Sequence, residues 1–248
     1  MNKSYGVFAE FYDVLTSNVD YGEKAAFIDS AVEKFGGKRG GVLLDIACGT
    51  GSLSERLDSL GYDVVAVDSS PDMLTIAMDK KFESGKNIQY VCQDMRELDL
   101  FGTVDIAVCN LDSLNHLDNI GDVRRVFERV FLFCEHGGLF IFDINTEYKH
   151  KVVLGENTFV YDTDDVYCVW QNSCEGSRVK IELDFFVPEN DETYARYSES
   201  FYENAYPLDE IEKLLTETGF EVLMRCDGEN GGDVSETTQR AAYVVRKP

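Results

Sequence analysis

Val42-Leu43-Leu44-Asp45-Ile46-Ala47-Cys48-Gly49-Thr50-Gly51 constrains this chain more than any other stretch. Its apolar run suits a strand buried on both faces, as in a parallel sheet. The glycines break that run. Ser52-x-x-Glu55, with Leu53, Leu57 and Leu60 behind it, predicts a helix that opens on a capping box and stops at Gly61. Strand, glycine turn and helix together present backbone N–H groups and a helix N-terminus to a ligand of nucleotide type.

The neighbours of the glycines discriminate between ligands. Gly49-x-Gly51 is followed by Ser54 where a dinucleotide fingerprint places its third glycine. Asp45, just before the turn, would meet a pyrophosphate with like charge but suits a ligand carrying positive charge. An NAD-dependent oxidoreductase is therefore the weaker reading. The string resembles motif I of the class I S-adenosylmethionine (SAM) methyltransferases, acid-x-Gly-x-Gly-x-Gly, with Ala47 at the first glycine. The resemblance implies a doubly wound α/β fold with a seven-stranded, mostly parallel, Rossmann-like sheet. It implies SAM as cofactor and in-line methyl transfer to an N or O nucleophile of a small molecule. A SAM-binding module without chemistry is the alternative from a different class.

The chain repeats the β/α alternation of such a fold. Asp63 to Asp68 reads as a second strand ending in an acid, and Asp68 lies where a carboxylate reaches the ribose hydroxyls of an adenosine. Ser70-Pro71 starts the next helix, with Met73, Ile76 and Ala77 facing inward. Ile88 to Cys92 and Val104 to Cys109 read as the third and fourth strands. Val123, Val126, Phe127, Val130, Phe131 and Cys134 mark an amphipathic helix ended by Gly137-Gly138, and Leu139 to Ile144 reads as the fifth strand. Three successive strands thus bring Asp45, Asp68 and Asp94 to one sheet edge, where ligands of open α/β sheets bind.

The family resemblance assigns roles along that edge. It places Asp45, Ala47, Cys48, Gly49 and Gly51 around the methionyl portion, Asp68, Ser69 and Met73 at the ribose and adenine, and Asp94 and Met95 on the adenine edge. Asn110 and Leu111 open a loop resembling motif IV, beside the transferable methyl group. The leader Phe8-Ala9…Tyr12-Asp13…Tyr21 resembles helices that close over SAM, with Tyr12 and Tyr21 as candidate partners of its carboxylate. His116, in the motif IV loop, is the candidate general base, and Asp112 and Asp143 are candidate substrate contacts.

From about Thr146 to Tyr206 helical periodicity gives way to β-rich segments at Val166 to Gln171, Arg178 to Val187 and Tyr194 to Tyr206. Turns at Glu175-Gly176-Ser177 and Pro188-Glu189-Asn190-Asp191 separate them. The expected organisation is a SAM-binding domain over residues 1–146 and 207–248, led by a helical lid. A small antiparallel sheet is inserted over 147–206, and its Phe185 and Tyr202 are candidates to line the substrate pocket. A helix from Pro207, a strand from Glu221 to Cys226 and a last strand from Ala241 to Arg246 complete the main sheet.

Charge limits the partners. The chain has 23 Lys and Arg against 46 Asp and Glu, a net charge of −23, so nucleic acid and anionic membranes are repelled and a small-molecule acceptor is expected. The seven cysteines show no CxxC pair and no zinc spacing, so no metal is expected. No signal peptide or membrane-length apolar run is read, and the expected compartment is the cytoplasm.

Overall fold

The computed structural model describes residues 6–190 and 192–248; Asp191, which the sequence reading used, lies outside them. Two helices, α1 (Gly6–Leu15) and α2 (Tyr21–Lys34), precede strand β1 (Val42–Ile46). Helix α3 (Ser52–Ser59), β2 (Asp63–Asp68), α4 (Pro71–Ser84), β3 (Gln89–Cys92), β4 (Val104–Cys109), α5 (Ile120–Phe133) and β5 (Cys134–Asn145) follow. Strands β6 (Thr158–Asp162), β7 (Tyr167–Glu175), β8 (Arg178–Pro188) and β9 (Tyr194–Asn204) form a separate antiparallel sheet in that order. The chain then returns through α6 (Leu208–Thr218) to β10 (Glu221–Asp227) and β11 (Arg240–Arg246).

The main sheet runs β10-β11-β5-β4-β1-β2-β3. Strands β1 to β5 pair in parallel, and β11 is antiparallel to both β5 and β10. Strand alternation divides its core into two layers. Leu43, Val64, Ile106 and Val108 face Ile28, Leu53 and Leu57 of α2 and α3. Leu44, Ile46, Val67 and Ala107 face the other way, with Val126, Phe127 and Leu215 of α5 and α6. A third apolar cluster joins Phe8, Phe11 and Leu15 of α1 and Met73 of α4 to Ile181, Leu183 and Phe185 of the small sheet. Thus α1 lies between the two sheets.

Local details depart from the sequence reading at three places. Ser52 and Glu55 form no capping box. The cap of α3 is Gly51 in the left-handed region (φ 75°), and the Ser52 hydroxyl donates instead to Asp13 Oδ1 at 3.1 Å. Gly137-Gly138 does not end α5, which stops at Phe133. Strand β5 starts at Cys134, and the glycines fall in an irregularity of its pairing with β4, between the partners Val104↔Cys134 and Ile106↔Leu139. The segment after β5 is also richer than expected: it holds a π-helical turn over Lys149–Leu154 and the additional strand β6.

Candidate active site

The ligand loop follows from β1. Asp45, the residue before the last of that strand, is 2% exposed and accepts a 2.5 Å hydrogen bond from Ser54 of α3. Burial pushes its carboxyl up to about 7. Ser54, at the position of a dinucleotide motif's third glycine, is therefore committed to Asp45. Ala47 follows at φ 54°, in the left-handed region where glycine is at ease, which accounts for a glycine at this place in the motif it resembles.

Two glycines of the loop serve different ends. At Gly49 (φ 54°) an added Cβ would meet no atom within 4 Å, so this backbone opens onto free space. At Gly51 (φ 75°) a Cβ would lie 2.3 Å from the Tyr90 hydroxyl and 3.1 Å from Ala77 Cβ. Gly51 thus serves the packing of the turn on α4 and β3, while Gly49 clears room for a ligand.

Asp68, at the end of β2, locks the loop. Its Oδ2 accepts Gly49 N at 2.8 Å and its Oδ1 accepts Ser70 N at 2.8 Å. Burial raises its carboxyl despite those bonds. Ser70 caps α4 with Pro71 at its first turn, as the sequence predicts. A cavity of ≈ 210 Å³ starts here. The strand-end loops give it Ala47, Gly49, Asp68, Ser69, Met95, Leu111, Asp112 and His116, α4 gives Met73, α1 gives Tyr12, and the small sheet gives Trp170, Phe201 and Glu203. An adjoining ≈ 180 Å³ cavity lies between Asp68, Asp94, Met95 and His116. There Arg96 binds both oxygens of Asp94, at 3.0 and 3.1 Å through Nε, and its hydrogen bonds hold that carboxylate below its ordinary range.

A narrow recess beside Asp45 is walled by Tyr12, Tyr21, Cys48, Gly49, Asn110 and Leu111. The Asn110 amide Nδ2 is buried there without a hydrogen-bond partner. An orphaned donor, a buried carboxylate and open space above Gly49 fit an amino acid joined to an adenosine. Among the described residues no cluster of His, Cys, Asp and Glu is disposed to hold a metal ion.

The loop after β4 is strained and heavily braced. Leu111 and Asp112 both have positive φ, 57° and 54°. Asp143 of β5 accepts both of their N–H groups, at 3.1 and 2.8 Å. Arg240, the first residue of β11, donates to Asp143 Oδ1 at 2.7 Å and to Asp112 Oδ1 at 3.2 Å, and Asn145 donates to Asp112 Oδ2 at 2.7 Å. Lys24 adds a 3.4 Å contact to Asp143. Burial opposes ionisation of both acids, but Arg240 and its neighbours outweigh it, holding Asp112 at about 2 and Asp143 below its ordinary value. Arg240, Lys24 and Asn145 were not singled out from the sequence.

Four expected substrate contacts are placed differently from one another. Asp112 lines the main cavity, but its oxygens are taken by Arg240 and Asn145. Asp143 braces the loop and borders a separate polar cavity with Lys24, Lys149 and Arg240. Phe185 does not line the main cavity; it is fully buried among α1 side chains, its ring 6.2 Å from that of Phe11. Tyr202 does not line it either, being 42% exposed beneath the Arg178 guanidinium. The reason is the period of two in β9: with Phe201 and Glu203 turned inward, Tyr202 must turn out. The small sheet instead contributes Trp170, Phe201 and Glu203. His116 lies at the junction of the two ligand cavities, its ring 5.3 Å from that of Phe201.

A Rossmann-like sheet with acids at three successive strand ends and a glycine loop open to an adenosyl amino acid defines a SAM-dependent methyltransferase. Comparison with known proteins agrees. Residues 43–138 match the family described as a methyltransferase domain. A protein of Geobacillus sp. (strain WCH70) that bears a methyltransferase name is 32% identical, over 98% of this chain and 100% of its own. A glycine/sarcosine N-methyltransferase of Aphanothece halophytica is 28% identical over 93% of this chain and 82% of its own. The crystal structure of a SAM-dependent methyltransferase from Clostridium acetobutylicum ATCC 824 superposes with a TM-score of 0.88, at 35% identity and 98% coverage of both chains. The chain belongs to the class I SAM-dependent methyltransferases, and SAM is its cofactor.

Proposed function

We propose that the protein methylates a small-molecule acceptor at a nitrogen or oxygen nucleophile, by direct in-line displacement in the cytoplasm. The observation that carries this reading is the continuity of the main cavity, which runs from the Ala47–Gly49 loop to an aromatic wall supplied by α1 and the small sheet. Bound SAM supplies a methyl group already activated on a sulfonium sulfur. The residues of this chain are left to bind, orient and exclude water, and orientation alone can lower such a barrier by about 7–11 kcal/mol.

In this reading Tyr12, Tyr21, Asp45 and Asn110 hold the amino-acid portion, and Cys48, Gly49 and Leu111 form its walls. Asp68 and Ser69 hold the ribose, while Met73, Asp94 and Met95 enclose the adenine. His116, facing the acceptor end, accepts the nucleophile's proton. The glycine/sarcosine N-methyltransferase name of the Aphanothece halophytica relative supports a small acceptor. So does the net charge of −23, which opposes a nucleic-acid substrate.

The test is calorimetric titration with SAM, S-adenosylhomocysteine and NAD in parallel, followed by a methyl-transfer screen on small amines and alcohols. Binding of both adenosyl amino acids at about micromolar Kd without NAD, and turnover in the screen, is the expected result. Binding without turnover on any small acceptor would instead favour a SAM-binding module.

A further inference from the structure

The carboxylates of the main cavity, Asp68, Asp112 and Glu203, meet no Lys or Arg in its lining among the described residues. Two of those acids are committed within the protein, Asp68 to the backbone of Gly49 and Ser70, and Asp112 to Arg240 and Asn145. Glu203 is not. It is 4% exposed, and its Oε2 lies 3.3 Å from Asn145 Nδ2 and 3.3 Å from His150 Nε2. The fully buried His150 is fixed in turn by its Nδ1, 3.0 Å from the Ser177 carbonyl, to which it must donate.

Both contacts fall on Oε2, and His150 Nε2 makes no hydrogen bond. A carboxylate buried this far is costly unless a partner of opposite charge or a donor meets it. Its setting is aromatic. Trp170 is fixed by a 2.6 Å bond from Nε1 to Asn172 Oδ1, and Phe201 and Tyr12 stand on the same cavity wall. Carboxylate and ring faces together suit a cation, which the net charge of −23 also attracts.

Resting on the reading of this cavity as the acceptor site, we propose that Glu203 reads the acceptor, and that the acceptor is a cationic amine bearing no carboxylate or phosphate. An amine that brought its own acid would set it among carboxylates with no guanidinium or ammonium to receive it. Glycine, one substrate named for the Aphanothece halophytica relative, is such an amine, so this chain selects a different class. Glu203 also supplies what a bare aromatic wall lacks, a fixed charge that separates an ammonium from the alcohol of the same shape.

The experiment is calorimetric titration of the protein loaded with S-adenosylhomocysteine, using phenethylamine, phenethyl alcohol and phenylalanine as matched probes. The amine is expected to bind at least about tenfold more tightly than the alcohol or the amino acid. Glu203→Gln removes that preference while S-adenosylhomocysteine affinity is unchanged. Glu203→Asp, which keeps the charge beside His150, retains a reduced preference, and Trp170→Leu weakens the amine more than the alcohol. Equal binding of the three probes, tighter binding of phenylalanine, no amine binding to the loaded protein, or an intact preference in Glu203→Gln overturns the proposal. Failure of S-adenosylhomocysteine itself to bind strikes the cofactor site beneath it and overturns both.

Discussion

Replacing Arg240 by Met tests whether the strained β4 loop is held by charge. The side chain is 13% exposed and donates to Asp143 and Asp112, which are themselves buried. Methionine fills similar space without a donor, leaving two carboxylates facing each other. Removing one partner of a buried pair costs about 3–5 kcal/mol. The Leu111–Asp112 turn adds to the demand, since residues held at positive φ store about 1–3 kcal/mol each. Urea unfolding at pH 7.5 should therefore show a loss of about 3–5 kcal/mol.

The pH dependence gives the cause away. In the wild type Arg240 outweighs burial and holds Asp112 at about 2, below its ordinary 3.8, so this stabilisation is present above 3.8 and lost as pH falls toward 2. Without Arg240 burial dominates and the sign reverses: the folded state binds protons more readily than the unfolded one, and the deficit shrinks on acidification from pH 7.5 to 5. Adding Asp112→Asn to the variant should recover part of the loss. A loss below about 1 kcal/mol, or a deficit that grows on acidification, would refute the reasoning.

Further predictions concern the ligand loop. Gly49→Ala should abolish SAM binding while costing about 1 kcal/mol of stability, because its Cβ meets only ligand space. Gly51→Ala should cost about 3 kcal/mol or more, through strain and the clash with Tyr90, and thermal unfolding beside SAM titration separates the two. Asp68→Ala should weaken SAM by at least about tenfold, since each hydrogen bond to a charged group is worth about 1.5–3 kcal/mol, and unchanged affinity would remove it from the site. SAM affinity should rise with pH by up to about tenfold per unit between pH 5 and 7. Burial holds Asp45 near 7, and a cation beside it requires the ionised form. Calorimetry of Asp45→Asn should give a flat profile over that range.

The SAM half of the site was legible because each of its parts lies within one strand–turn–helix unit. Asp45, Asp68 and Asp94 each end or follow a strand, and the strands are parallel neighbours, so strand order alone brings their ends to one edge. Ser70-Pro71 announces its helix in the same local way. The errors were local too. A Ser-x-x-Glu spacing does not cap a helix whose preceding glycine already has the left-handed conformation, and a Gly-Gly pair can sit in a strand irregularity as well as after a helix.

The acceptor half has no such local signature, because its contacts join segments far apart in the chain. Arg240 reaches Asp112 and Asp143 across 128 and 97 residues, and one arginine opening a strand announces nothing by itself. The available signal was register: β11 lies antiparallel to β5, which places Arg240 opposite Asn145 and beside the strand end that carries Asp143. For β9 the signal was parity. Counting by two from Phe201 reaches Glu203 and skips Tyr202, so an acid at an inward position should have drawn more notice than the tyrosine beside it. The two halves also differ in what they demand of a sequence. Binding an adenosyl amino acid needs a repeated backbone geometry, which recurs as a motif, whereas an acceptor wall is set by which side chains two sheets and α1 turn toward each other. Cofactor specificity is thus written in short spacings, and acceptor specificity in pairings that only the assembled fold reveals.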